Sequence, residues 1–397
     1  MPKTTQQLCR NKRYAMNNPK TFAPIWAEVD LSAISHNFSE VQRLVNKQSK
    51  IMAVVKADAY GHGLTKVADC LNKAGADYFA VARLDEAVAL RNHGIEKPIL
   101  ILGYTPPEAA TELLKHKVIQ TVFSSEYAKD LNEKLNQTNK TLKVHIKIDT
   151  GMGRLGLVDE FNDGAVLESI STINRLPNLE TEGVYTHFAA SDEADKTSAL
   201  EQLKQFKNIL AGIERRGISI PLKHAANSAA IIDLPESYFD MVRPGIMLYG
   251  LYPSNGVHQQ NAELRPAMQI KARIAQTKEV PAGFRISYGH TYTTPNATKL
   301  ATIPLGYADG YRRQLSSAGK VLVHGQHASI VGRVCMDQSV IDVGKIENVE
   351  AGDEVVIIGR QEQAEISAER MACELGTINY EIVSTLMARV PRIFKDS

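Results

Sequence analysis

Eight short apolar runs of strand length, at 51–55, 78–82, 99–102, 118–123, 142–148, 180–187, 221–225 and 240–246, recur along the chain before residue 250. Between most of them lie helix-length amphipathic stretches, such as Thr65–Ala74, Leu84–His93, Pro107–His116 and Lys196–Arg216, the last stopped by Gly217. Strands in strict alternation with helices build a parallel sheet, and eight of them over roughly 200 residues predict a (β/α)8 barrel. An open doubly wound sheet has the same element order and is the alternative. In front of this series, Trp26–Leu31 alternates like a half-buried strand, and Ser32 is placed to cap a helix running to about Val45.

The texture changes after Leu251, where Pro253, Ser254, Asn255 and Gly256 form a linker. Beyond it, Val321–Val323, Ala328–Val334, Ser339–Val343 and Glu354–Ile358 read as antiparallel strands, with Gly325, Gly344 and Gly352 between them. The reading is a barrel domain over residues 26–255, a mostly antiparallel β domain over 256–397 and a poorly ordered extension over 1–25. The extension is basic but holds no apolar core, which argues against a secretory signal, and no stretch approaches membrane-spanning length. A net charge of +2 with scattered basic residues gives no footprint for nucleic acid or for a membrane surface. Cys9, Cys70, Cys335 and Cys373 are far apart, so neither a metal site nor a disulfide framework is indicated and a reducing cytoplasm is expected.

Barrels of this kind place their chemistry at the carboxyl ends of the strands. There the sequence puts Lys56, Arg154, His187, Asn227 with Ser228, and Arg243 with Gly245. Lys56 follows the run Ile51–Val55 and precedes a glycine-punctuated turn, so its amine is expected to be partly desolvated, with a lowered pKa suited to a nucleophile or base. Gly151-Met152-Gly153-Arg154-Leu155-Gly156 has dinucleotide-loop spacing, but it follows the fifth strand rather than opening a βαβ unit, which argues against that use.

The stretch Ile51–Gly63, with Lys56-Ala57-Asp58-Ala59-Tyr60-Gly61-His62-Gly63, resembles the cofactor-lysine signature of the alanine racemases. So do Ile146–Gly156, His224–Ser228, Met241–Ile246, Ile286–Tyr292, Leu305–Tyr311 and Cys335–Gln338, in the family's order from about Trp26 to Arg392. The resemblance implies pyridoxal 5'-phosphate on Lys56, with its phosphate held by Tyr60, Asn227, Ser228, Gly245, Ile246 and Tyr380. Arg154 is implied at the cofactor's phenolic oxygen and beside the substrate, with Lys147 at a position often carbamylated. His187 is expected near the ring, and Arg243 at the ring nitrogen, where a group that only donates leaves that nitrogen unprotonated.

Racemisation requires a base on each face of the substrate's α-carbon. The resemblance implies Lys56 on one face and Tyr288, from the β domain of a second subunit, on the other. Tyr288 would need nearby cations to lower a phenol pKa of about 10. Met336 and Asp337 are implied at the substrate carboxylate and Tyr307 in the wall of the access channel; His290 departs from the motif's usual residue. The expectation is therefore an L-/D-alanine interconverting homodimer with shared sites, supplying peptidoglycan. The rivals are a racemase of broader specificity that accepts serine, an amino-acid decarboxylase, and a non-catalytic cofactor-homeostasis protein, which would lack the β domain.

Overall fold

The computed structural model describes residues 23–46, 49–159 and 164–396. Most of the 1–25 extension lies outside the described residues. The eight expected runs form strands at Lys50–Val54, Tyr78–Val81, Ile99–Ile101, Ile119–Val122, Leu142–Asp149, Leu179–Tyr185, Leu222–His224 and Met241–Val242. Each pairs in parallel with its predecessor from the first to the seventh, and Met241–Val242 pairs in parallel with Lys50–Val54. The seventh and eighth meet through the Asp240 N–H on the Lys223 carbonyl (3.1 Å) and the Arg243 N–H on the Ala226 carbonyl (2.9 Å). The sheet thus comes round on itself, and the open doubly wound alternative falls.

The helices form because their apolar residues recur on one stripe. In Leu64–Ala74 the buried residues are Leu64, Val67, Ala68 and Leu71, spaced for one face, and Gly75 ends the helix at φ +102°. Leu71 is fully buried, so its truncation to alanine would cost about 2–5 kcal/mol. The first helix, Leu31–Val45, is capped by Asp30 rather than Ser32: the carboxylate accepts the Ser32 and Ala33 amides at 2.8 and 3.1 Å.

The second sheet runs in the order Gln276–Val280, Thr298–Ile303, Ser339–Asp342, Gln326–Ile330, Lys320–Val323, Glu354–Gln361, Met268–Arg273, Ile25–Asp30, Arg392–Lys395. All these pairings are antiparallel except the last. The strand Ile25–Asp30, expected at the head of the barrel, is thus paired into the β sheet. Alternation marked it as a strand with one buried face; it could not say whose face.

Candidate active site

At the carboxyl ends of the barrel strands lies a cavity of about 710 Å³. Lys56, Lys147, Arg154 and Arg243 line it, against a single carboxylate, Asp192, among the described residues. Tyr60, His187, Asn227, Ser228, Gly245, Ile246 and Tyr380 complete the set that the sequence placed at this mouth. Such an excess of positive charge suits an anionic ligand.

Lys56 follows the first strand and opens the expected glycine-punctuated turn, whose left-handed backbone no sequence signal announced. Ala57, Asp58, Ala59 and Tyr60 all stand in the left-handed helical region, at φ +53 to +54°. Glu86 holds the turn: its Oε1 accepts the Ala57 amide at 2.5 Å and its Oε2 the Ala82 amide at 2.8 Å. Burial, then the neighbouring Arg154 cation, lowers the Lys56 pKa, with Glu86 opposing.

Lys147 is buried inside the barrel beside the same cations. Burial first, then Arg154 and Arg243, brings it down to about 8. The glycine loop after this strand wraps the Asp149 carboxylate, which accepts the amides of Gly151, Met152, Gly153 and Arg154 at 2.8–3.1 Å. Those amides are already filled by the chain's own anion, which is the physical reason the loop is no dinucleotide cradle.

Arg243 is buried and held from several sides. Its Nη2 donates to the carbonyls of Thr186 (2.8 Å) and Ala225 (2.9 Å) and to His187 Nδ1 (3.2 Å), and Nη1 donates to His224 Nδ1 at 2.8 Å. His187 is buried, and burial with the Arg243 charge pulls its pKa well below the ordinary value, so the ring is neutral. Ser228 Oγ accepts the amides of Gly245 (2.8 Å) and Met247 (3.4 Å), leaving its own proton to donate. The Gly245 amide, expected to point at a ligand, is thus spent on Ser228. A Cβ on Gly245 would lie 2.7 Å from Tyr60 Oη, so the glycine keeps the space between Tyr60 and Ser228 open. Asn227 Oδ1 caps the helix Ser228–Asp233 through the Ala230 amide at 3.0 Å and also accepts Ser191 Oγ at 2.9 Å.

Tyr288, Met336 and Asp337 do not line this cavity. They border a separate concavity of the β domain, with Ser287, Gly289, His290 and Cys335. Tyr288 is 70% exposed and Met336 53%. Tyr307 is tied to that concavity by its amide on the Cys335 carbonyl (3.1 Å). Arg389, which the sequence reading missed, bridges Asp309 (2.7 Å) and Asp337 (2.8 Å). Also missed were Glu86, His145 and Glu182, although His145 shares the polar face of its strand with Lys147 and Asp149.

Two sequence profiles cover most of the chain: "Alanine racemase, N-terminal domain" over residues 29–253 and "Alanine racemase, C-terminal domain" over 267–394. The chain belongs to the alanine racemase family. As an amino-acid racemase it is an isomerase, and it is 51% identical to the alanine racemase of Carboxydothermus hydrogenoformans over 94% of this chain and 99% of that one. Among solved structures, the racemase of Clostridium difficile superposes with a TM-score of 0.89 at 42% identity, covering 94% of this chain and 96% of that one. The racemase from Bartonella henselae, solved with covalently bound pyridoxal phosphate, gives 0.84 at 31% identity, covering 94% and 100%. Membership separates this barrel from the homeostasis proteins, and the racemase's second sheet is the feature they lack. Among the described residues no cluster could hold a metal ion, and no helix is long and apolar enough to cross a membrane.

Proposed function

We propose that the protein interconverts L- and D-alanine with pyridoxal 5'-phosphate carried on Lys56, and that two subunits share each site. The observation that carries this reading is the Lys56 amine, partly desolvated at the mouth of a cavity whose other cations match an anionic group. Tyr60, Ser228 and the gap kept open by Gly245 fit a phosphate; Tyr380 and Asn227 stand beside them. Arg154 fits the phenolic oxygen, and Arg243, still a cation at neutral pH, fits the ring nitrogen as a donor. Bound there, the cofactor would withdraw electrons from the α-carbon and so acidify its proton.

The chain's own groups do the rest. Lys56 takes or returns the α-proton on one face. Tyr288 of the partner subunit does so on the other, with Met336, Asp337 and Arg154 orienting the substrate carboxylate and Tyr307 narrowing the approach. Tyr288 suits this role because it is displayed, not packed: a tyrosine 70% exposed beside Met336 is a surface awaiting a cover. The proposal includes a cytoplasmic role in supplying D-alanine to peptidoglycan.

A racemisation assay across a panel of amino acids, with cofactor supplied, tests the reading. Alanine should turn over in both directions and serine poorly, since an added group in a tight pocket is worth about 1–3 kcal/mol. Comparable efficiency on lysine or arginine would overturn alanine specificity. Borohydride reduction should fix the cofactor on the peptide containing Lys56, and Lys56→Ala should abolish turnover; a label on another lysine removes the central assignment.

A further inference from the structure

The hydrogen bonds of Arg243 continue beyond the cavity wall, through the barrel interior. His224, which accepts from Arg243 at Nδ1, has its Nε2 2.9 Å from His145 Nδ1. His145 Nε2 lies 3.3 Å from Glu182 Oε2, and Glu182 Oε1 accepts Lys143 Nζ at 2.6 Å. Both imidazoles are fully buried, Glu182 is 8% exposed, and Lys143 reaches water.

Only one arrangement of protons satisfies all these contacts. A guanidinium has no acceptor, so His224 Nδ1 must accept, and its ring then carries the proton on Nε2. His145 must accept that proton at Nδ1 and hold its own on Nε2, where only a carboxylate oxygen receives it. Protonating either ring would turn two N–H groups on each other. Burial, the largest cause in both, lowers the two imidazole pKa values and agrees with neutral rings.

The backbone is shaped for this chain of contacts. Pairing between the fifth and sixth strands jumps from Val144–Thr181 to His145–Gly183, which leaves Glu182 as an extra, unpaired residue, a bulge that turns its carboxylate inward. A Cβ on Gly183 would stand 2.7 Å from the His145 ring. Burying such a network gains little stability over apolar packing, so its presence asks for another reason.

We propose that Glu182 is a positioning residue for Arg243: acting through His145 and His224, it fixes both imidazole tautomers and with them the one orientation in which the guanidinium faces the cavity. In the opposite tautomer, His224 Nδ1–H would oppose Arg243 Nη1–H and the guanidinium would have to turn. The consequence for turnover rests on the proposed function; the tautomer assignment does not.

The test uses the cofactor-free protein labelled with 15N-histidine. His145 and His224 should both be neutral Nε2–H tautomers through the neutral pH range. Proton on Nδ1 of His224 in the unsubstituted protein overturns the proposal without need of a variant. Glu182→Gln keeps an acceptor oxygen and should keep both tautomers and the activity. Glu182→Leu removes it, so the second tautomer should appear at both rings. With cofactor restored, its kcat for alanine should fall about 10- to 100-fold, by analogy with the loss when the hydrogen-bond partner behind a metal-ligating histidine is removed, with KM little changed. Unchanged tautomers in Glu182→Leu overturn the proposal even if activity falls, and an equal fall in Glu182→Gln assigns the effect to charge and overturns it as well. If the unsubstituted protein does not racemise alanine, the functional reading fails while the tautomer result still decides the relay.

Discussion

Lys147 is a buried ammonium among three other cations, and its folded-state pKa of about 8 lies below the ordinary 10.5. Below about pH 8 both folded and unfolded chains carry the proton, and the folded state bears the full penalty, about 3 kcal/mol by linkage. Between about 8 and 10.5 the unfolded chain binds more protons, so stability rises with pH across that window. Cofactor-free protein in carbonate-free buffer should therefore grow more resistant to urea on going from neutral to alkaline pH. Lys147→Met should be the more stable at neutral pH and lose that advantage as pH rises. The same depressed pKa makes a neutral amine available to carbon dioxide, forming an N–C bond with loss of a proton and leaving an anion beside Arg154. With 13C-bicarbonate supplied, a carbamate resonance that is absent in Lys147→Met would establish the carbamate proposed from the family resemblance; no such resonance in the unsubstituted protein would dismiss it.

Among the elements, the turn at Ala57–Tyr60 concentrates strain beside Lys56. Left-handed backbone costs about 1–2 kcal/mol per non-glycine residue, and here four stand in a row. Glu86, the Leu64 amide on Asp58 Oδ1 (2.8 Å) and Arg392 Nε on the Gly61 carbonyl (2.9 Å) hold it in place. Ala57 is exposed, so Ala57→Gly should relieve strain and raise stability by up to about 1 kcal/mol, read from the denaturant midpoint. Gly61→Ala should do the reverse by several-fold more, because its Cβ would fall on the Val383 carbonyl and push away the helix that carries Tyr380. The left-handed run was not legible in the sequence, since alanine and tyrosine have no leaning toward positive φ and aspartate adopts it as a single residue, not in a row of four. The barrel was legible because short strand-length segments recur in alternation with amphipathic helices, and Lys56, Arg154, His187 and Arg243 were found at its mouth because they stand at or just beyond the carboxyl ends of those segments. The Glu182 relay was not, because a bulge exists only between two strands and leaves no mark on either alone. The Ser32 cap missed by two residues, as two side chains capable of capping stand close together.

At the scale of the molecule, the two candidate surfaces are separate: a cationic cavity on the barrel, and an open hollow around Tyr288 on the β domain. If one subunit's hollow covers its partner's cavity, mixing inactive Lys56→Ala and Tyr288→Ala subunits should restore activity as they exchange, since each heterodimer then holds one intact site. No recovery despite proven exchange would mean that each chain builds its own. The β sheet, in turn, is made from both ends of the described chain, with Ile25–Asp30 flanked by Met268–Arg273 and Arg392–Lys395. During synthesis that first strand leaves the ribosome long before either neighbour exists, so the barrel can close while its leading segment waits for the last residues to emerge. The chain's one tryptophan, Trp26, lies in that strand with Arg273 over its ring at 5.4 Å. Its fluorescence is a natural clock for the joining of the two domains, silent while the barrel forms and changing when Met268–Arg273 pairs beside it.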